Sequence, residues 1–358
     1  MKQNRVNAVL RHLEQLGLSQ MLITDPISIF YLTGRMIHPL ERFYGLYLSR
    51  RGDYRIFINQ LESVPEDLGV EKVRFSDTDP YLDLVAETVD HREPLGVDKN
   101  MAARFLLPLM ERSAASGFVL SSLAVDRARA VKDEDEQALM RRASQLNDAA
   151  LEQLRPWIQE GVSEVDLAER LKGIYRELGA DGLSFPPLVA FGRNAADGHH
   201  WPNDTRLKPG DCVLIDAGCT YQGYCSDMTR TYFYRSVTPQ QRHVYELVRL
   251  ANERAEQAVR PGIPLRELDK IARDTIASAG FGPCFTHRLG HFIGVEDHEF
   301  GDVSAAAEDL AEPGNIFSIE PGIYLEGSLG VRIEDLVLVT EDGCEILNRL
   351  PKELEIIA

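Results

Sequence analysis

The sequence predicts two domains: an α/β domain over residues 1–126, then an α+β domain over residues 127–358 with a curved antiparallel sheet and helices on its outer face. Length points to two domains, since 358 residues exceed what one core usually holds. Before residue 126, short β-prone runs alternate with helical patterns, as in α/β folds. After it the order is helix, helix, hairpin, helix, helix, hairpin. Each half of that order supplies two helices and one hairpin, which implies a pseudo-two-fold without a residue-level repeat.

In the first domain, residues 4–16 read as an amphipathic helix, with Val6, Val9, Leu10, Leu13 and Leu16 at helical spacing. Residues 21–24 read as a buried strand, and Asp25-Pro26 through Gly34 as a turn and short helix. Residues 44–48 and 54–58 alternate like strands around the turn Arg51-Gly52-Asp53. Residues 118–123 are a further strand candidate. In the second domain, a long helix follows Lys132-Asp133-Glu134-Asp135, with acidic residues at the positive end of its dipole. A second helix starts at Ser163, an N-cap with Asp166 three residues on. A third starts at Thr238-Pro239 and stops before Pro261-Gly262, and a fourth runs over residues 265–279.

Composition narrows the function. Apolar residues make up 44% and charged residues 27%, which is ordinary for a globular chain. A net charge of −17 argues against a nucleic-acid-binding surface. The five cysteines form no C-x-x-C pair, which argues against a disulfide framework or a thiolate metal site and suits a reducing cytoplasm. The charged first 18 residues do not read as a signal peptide. Nor does any apolar run reach the ~18 residues of a membrane span.

Chemistry concentrates in two hairpins. Asp216 ends the run Val213-Leu214-Ile215, and Asp227 follows Cys225-Ser226. A chain reversal at Tyr221-Gln222 sets Asp216 directly opposite Asp227. Facing carboxylates repel, so the pairing calls for a cation between them. The pattern recurs in Ile319-Glu320-Pro321-Gly322 and Ile333-Glu334-Asp335, where a hairpin centred on Gly327 sets Glu320 against Glu334. Between the hairpins lie His287-Arg288-Leu289-Gly290-His291 and Asp297-His298-Glu299. Asp216, Asp227, His291, Glu320 and Glu334 therefore read as one five-ligand, two-metal centre. Four carboxylates and one imidazole suit Mn²⁺, Co²⁺ or Zn²⁺. Two such ions ~3.5–4 Å apart share a water, lower its pKa and polarise a carbonyl, so the expected reaction is amide or ester hydrolysis.

These motifs resemble those of the pita-bread metallopeptidases, the family of methionine aminopeptidase, aminopeptidase P and prolidase. The resemblance covers nearly all of residues 185–340. It implies that Asp216 chelates one metal, that Asp227 and Glu334 bridge both, and that His291 and Glu320 bind the other. It further implies an upstream histidine, for which the spacing to Asp216 selects His199 over His200. His298 resembles the histidine that contacts the scissile carbonyl, and His287 a substrate-facing one. Glu320 is the expected proton shuttle to the leaving nitrogen. Arg332, on the same strand face as Glu334, is the expected orienter of the carboxylates. Arg288 and Phe292 stand where methionine aminopeptidases usually carry small residues.

The α/β domain before residue 126, with Pro26 through Gly34, resembles the creatinase–prolidase branch. That branch implies an Xaa-Pro dipeptidase with two divalent ions, Mn²⁺ foremost, a small peptide substrate and a homodimer. Aminopeptidase P, acting on longer peptides, is the alternative; a non-catalytic binding protein is disfavoured because no metal ligand is missing. Many prolidases place an arginine in the loop after the His-Glu motif to hold the product carboxylate, but residues 300–307 contain none. Arg42 or Arg35, in an irregular loop that could reach a partner's active site, is the expected replacement.

Overall fold

The computed structural model describes residues 1–65 and 67–358. The chain divides into two compact units, Met1–Arg129 and Ala130–Ala358.

The first unit runs α1 (Gln3–Gln15), β1 (Gln20–Ile23), α2 (Pro26–Thr33), β2 (Gly45–Ser49), β3 (Tyr54–Asn59), β4 (Glu71–Phe75), α3 (Tyr81–Thr88), β5 (Leu95–Val97), α4 (Ala103–Glu111), β6 (Phe118–Leu120) and α5 (Ser122–Ala130). Its six-stranded sheet has the order β4-β3-β2-β1-β5-β6. Helix α1 buries Val6, Val9 and Leu13, one stripe of a 3.6-residue period. Helix α2 is set at both ends: Asp25 Oδ2 accepts from the Ser28 N–H at 2.9 Å, and Gly34 closes it in the left-handed region at φ 72°. The expected strand over residues 118–123 is corrected. It stops at Leu120, and from Ser122 the chain is helical, because Ala124, Val125 and Ala128 recur at helical spacing against the core. The expected boundary at residue 126 falls inside this helix.

The second unit opens with α6 (Glu134–Leu154) and α7 (Glu164–Glu177), followed by β7 (Gly182–Leu183) and β8 (Leu188–Phe191). Both helices begin with capping boxes, Asp133 with Glu136 and Ser163 with Asp166. A hairpin follows: β9 (Cys212–Ala217), β10 (Cys219–Tyr221), β11 (Tyr224–Cys225) and β12 (Met228–Tyr234). Then come α8 (Pro239–Ala258) and α9 (Leu265–Ser278), the former capped by Thr238 and Gln241. Strands β13 (Gly290–Phe292), β14 (Glu299–Val303), β15 (Ile316–Ile319), β16 (Gly322–Leu325), β17 (Leu329–Arg332), β18 (Asp335–Val339), β19 (Cys344–Ile346) and β20 (Ile356–Ile357) complete the chain. The sheet is assembled from pieces, chiefly a four-stranded ladder β20-β12-β9-β8 and a five-stranded ladder β14-β13-β15-β18-β19. Each carries one of the two acidic hairpins.

Strand alternation decides where the acids point. Val213, Ile215 and Ala217 pack with α6 and α7, while Cys212 and Leu214 face the other way into the core formed with α8 and α9. Asp216 continues that second face. The expected direct pairing of Asp216 with Asp227 is corrected. Asp216 pairs with Thr229, and Tyr221 with Tyr224. The turn is Gln222-Gly223, both with positive φ (49° and 82°), the backbone a two-residue hairpin loop requires. The register is thus offset by two residues. An even offset preserves the face, so Asp227 stands beside Thr229 on the Asp216 side, one diagonal step away. In the second hairpin, Ile319 pairs with Asp335 and Gly322 with Arg332, which leaves Glu320 opposite Glu334.

All five cysteines are free thiols. Among the described residues no helix is long and apolar enough to cross a membrane.

Candidate metal centre

The two hairpins and β13 meet at one pocket. Asp216, Asp227, His291, Glu320 and Glu334 all line it, together with His199, His287, His298 and Arg332. Arg35 and Arg42 belong to the first unit and are not among its lining residues. Ligand atoms of Asp227, His291 and Glu334 lie within 4.8 Å of one another. His291 Nε2 is 3.6 Å from Asp227 Oδ2 and 3.5 Å from Glu320 Oε1. Its Nδ1 faces its neighbour's carbonyl, Phe292 O, at 3.2 Å. That contact assigns the proton to Nδ1 and leaves the Nε2 lone pair directed at the carboxylates. Burial and the nearby His298 push His291 down to about 3, so the ring is neutral.

The acids are crowded. Burial, then the charges of Glu334 and Asp216, pushes the Asp227 carboxyl well up. Burial, then Glu320 and Asp216, does the same to Glu334. Burial raises Glu320 to about 7 against the opposing pull of Arg332. Asp216 Oδ1 and Asp227 Oδ1 are buried and have no hydrogen-bond partner among the described residues. Burying polar atoms without partners is costly. Orphaned carboxylate oxygens, mutual repulsion and one neutral imidazole with a free lone pair form a donor set that fits divalent cations.

A hydrogen-bonded frame holds these side chains. Arg332 donates from Nε to Thr229 Oγ1 at 3.0 Å, from Nη1 to the Tyr324 hydroxyl at 2.8 Å and from Nη2 to Asp216 Oδ2 at 2.6 Å. Thr229 passes the contact on, its hydroxyl donating to Glu334 Oε2 at 2.6 Å. Ser318 Oγ accepts from the His291 N–H at 3.0 Å and donates to Glu320 Oε1 at 3.1 Å. Tyr324 continues to His287 Nε2 at 2.9 Å, and His287 Nδ1 meets Arg288 O at 2.7 Å.

His199 and His200 both line the pocket but differ in their partners. His200 Nε2 lies 2.7 Å from Glu164 Oε2, whose side chain is fully buried, so it ties the loop to α7. His199 is exposed and lines the pocket. His298 packs against His291 with ring centroids 3.8 Å apart and planes tilted by 41°. Phe292 is a core residue, packed against Phe317 and over Gly301. Glu299 is likewise structural: its side chain and that of Lys132 are both buried and meet at 3.1 Å. Arg42 is held by Asp77 through two bonds, at 2.8 and 3.1 Å, while Arg35 is exposed.

Sequence reasoning missed three members of the site. Asp297 lines the pocket with its Oδ1 buried and orphaned. Burial and the Asp216 charge raise it to about 7, partly offset by a hydrogen bond with Asp227. Its position beside His298 was the available signal. Thr229 and Tyr324 had none, since their partners are a hundred residues away or on the far strand of a hairpin.

Comparison with known proteins agrees with this geometry. The model of metallopeptidase family M24 matches residues 138–341, and that of the creatinase/prolidase N-terminal domain matches residues 5–131. An uncharacterized peptidase of Staphylococcus aureus (strain USA300) is 35% identical over 341 residues, covering 92% of this chain and 94% of that one. The crystal structure of dipeptidase PepE from Mycobacterium ulcerans is similar at 34% identity and a TM-score of 0.92, covering 99% of this chain and 98% of that one. The prolidase of Thermococcus sibiricus is similar at 32% identity and a TM-score of 0.92, covering 99% of both chains. Acid pairs, imidazole and both family matches lead to one conclusion: this chain belongs to metallopeptidase family M24.

Proposed function

We propose that this peptidase hydrolyses the Xaa-Pro bond of dipeptides at a centre holding two divalent ions. The observation that carries the reading is the convergence of Asp216, Asp227, His291, Glu320 and Glu334 on one pocket, with two carboxylate oxygens left orphaned. Asp216, Asp227 and Glu334 would hold one ion; Asp227, His291, Glu320 and Glu334 the other. Such a pair, when bound, supplies Lewis-acid polarisation of the scissile carbonyl and a water acidic enough to attack near neutral pH. The remaining roles fall to the chain. Glu320 takes the proton of the attacking water and returns it to the leaving nitrogen. His298 and His199, both on the pocket wall, would face the substrate carbonyl and flanking backbone. His287 and Tyr324 hold the far end of Arg332, which keeps Asp216 in place.

Mn²⁺ as the metal and a homodimer as the working form belong to the same reading, both from the family resemblance. Dipeptidase and prolidase relatives of full-length coverage support it. One observation favours the second reading, an Xaa-Pro aminopeptidase acting on longer peptides: Arg42, an expected holder of the product carboxylate, is engaged by Asp77. The test is metal content together with hydrolysis of Ala-Pro, Ala-Pro-Ala and Met-Ala after addition of Mn²⁺. The dipeptidase reading expects Ala-Pro to be the best substrate. Preference for Ala-Pro-Ala selects the aminopeptidase, and a fully metallated protein that cleaves none of the three overturns both.

A further inference from the structure

The pocket measures about 1210 Å³, as large as or larger than sites that enclose drug-sized ligands. Its size does not exclude a longer peptide, so selection of a dipeptide has to come from a group that reads its terminal charge. Carboxylates outnumber cationic side chains along the lining. Among the described residues that line it, the only arginine or lysine side chains are Arg288 and Arg332. Arg332 is buried and engaged by Asp216, Thr229 and Tyr324.

Arg288 differs. Its side chain is 39% exposed. Nη1 donates to Asp302 Oδ1 at 3.0 Å, and Nη2 lies 3.4 Å from His298 Nδ1. The guanidinium is therefore held between an acid of β14 and the imidazole of His298. A guanidinium has five N–H donors, and Asp302 takes one through Nη1, so the fork can still receive an anion. Residues 300–307 carry no arginine but supply Asp302, which holds the arginine that the preceding loop contributes.

The geometry points to Arg288 as the residue that binds the free C-terminal carboxylate of a dipeptide substrate, with Asp302 positioning it. This rests on the dipeptidase reading above. A planar fork matches a carboxylate with charge-assisted bonds. A C-terminal amide at the same place offers neither the charge nor a second acceptor oxygen.

The experiment compares wild type, Arg288→Ala and Arg288→Lys on Ala-Pro and Ala-Ala, each as free acid and as C-terminal amide. Arg288→Ala is expected to raise KM for the acids roughly tenfold to hundredfold with kcat retained, and KM for the amides less than about threefold. Arg288→Lys, which keeps the charge without the fork, falls between. Equal KM increases for acid and amide overturn the inference, as does a fall in kcat with KM unchanged. A wild type that cleaves Ala-Pro and its amide equally well overturns it too, while leaving Xaa-Pro cleavage standing. Conversely, cleavage of Ala-Ala but not Ala-Pro, with an acid preference lost in Arg288→Ala, refutes the proline preference and supports Arg288.

Discussion

Arg332 reaches back 116 positions in sequence to donate from Nη2 to Asp216 Oδ2 at 2.6 Å. Its other nitrogens hold Thr229 and Tyr324, so one buried guanidinium ties both acidic hairpins together. Asp216 stands on the first hairpin and Arg332 on the second, two residues before Glu334.

Arg332→Ala strips three partners at once and leaves the Asp216 carboxylate with less compensation. Removing one member of a buried ion pair costs roughly 3–5 kcal/mol. Loss of such an outer support lowers metal affinity about tenfold to hundredfold. Thermal melts and metal titration check both. Unchanged metal affinity in the folded variant contradicts the positioning role.

Stability of the metal-free protein depends on pH with a definite sign. Glu320 and Asp297 are both raised to about 7, above their unfolded values near 4. Carboxyls raised by folding contribute stability that is fully present below the unfolded pKa. It is lost as pH rises through the folded one. Depressed His287 and His291 act in the opposite sense below the ordinary histidine value of about 6.5, so chelator-treated protein should melt at progressively lower temperature from about pH 6.5 to about pH 8. Added divalent cation should reverse the trend, because it binds the ionised form. Melting curves across this range, with and without chelator, decide it; a gap that does not widen with pH counts against a cation site here.

His287 is expected to stay neutral throughout the working range. Burial and the Arg332 charge hold it down at about 4. Its Nδ1 faces the Arg288 carbonyl at 2.7 Å, which assigns the proton there. Nε2 then accepts from the Tyr324 hydroxyl, which in turn accepts from Arg332. Nitrogen NMR of the ring should show a fixed Nδ1–H tautomer from pH 5.5 to 8, a span around the ordinary histidine value of about 6.5. A titration centred near that value would show the hydrogen-bonded chain to be broken.

Gly290 sits where a side chain cannot. A Cβ there would lie 1.8 Å from Ser318 O. Ser318 supports both His291 and Glu320 through its hydroxyl. Gly290→Ala should separate β13 from β15, cost about 3 kcal/mol or more and lower metal occupancy. Ser318→Ala removes the two hydrogen bonds without the clash, so it should weaken metal binding with a smaller drop in Tm. Comparable melting of Gly290→Ala and wild type would refute the steric account.

By itself the sequence determined most of the elements and the residue types of the candidate site. Capping residues at Ser163 and Thr238 mark helix starts because their side chains act on backbone groups three residues away. The β-prone run Val213-Leu214-Ile215 ending at Asp216 marks the strand that carries this acid. The link around Gly327 sets Glu320 against Glu334, as a short reversal leaves little freedom of register. In the first hairpin the same reasoning was off by two residues, because Tyr221-Gln222 and Gln222-Gly223 both read as turns. Only the tertiary structure decided that Asp297 joins the acids, that Thr229 and Tyr324 link them to Arg332, and that Asp302 holds Arg288. These contacts join residues on separate strands, some more than a hundred positions apart. They follow from how packed sheets bring strands together, which leaves no local period in the chain.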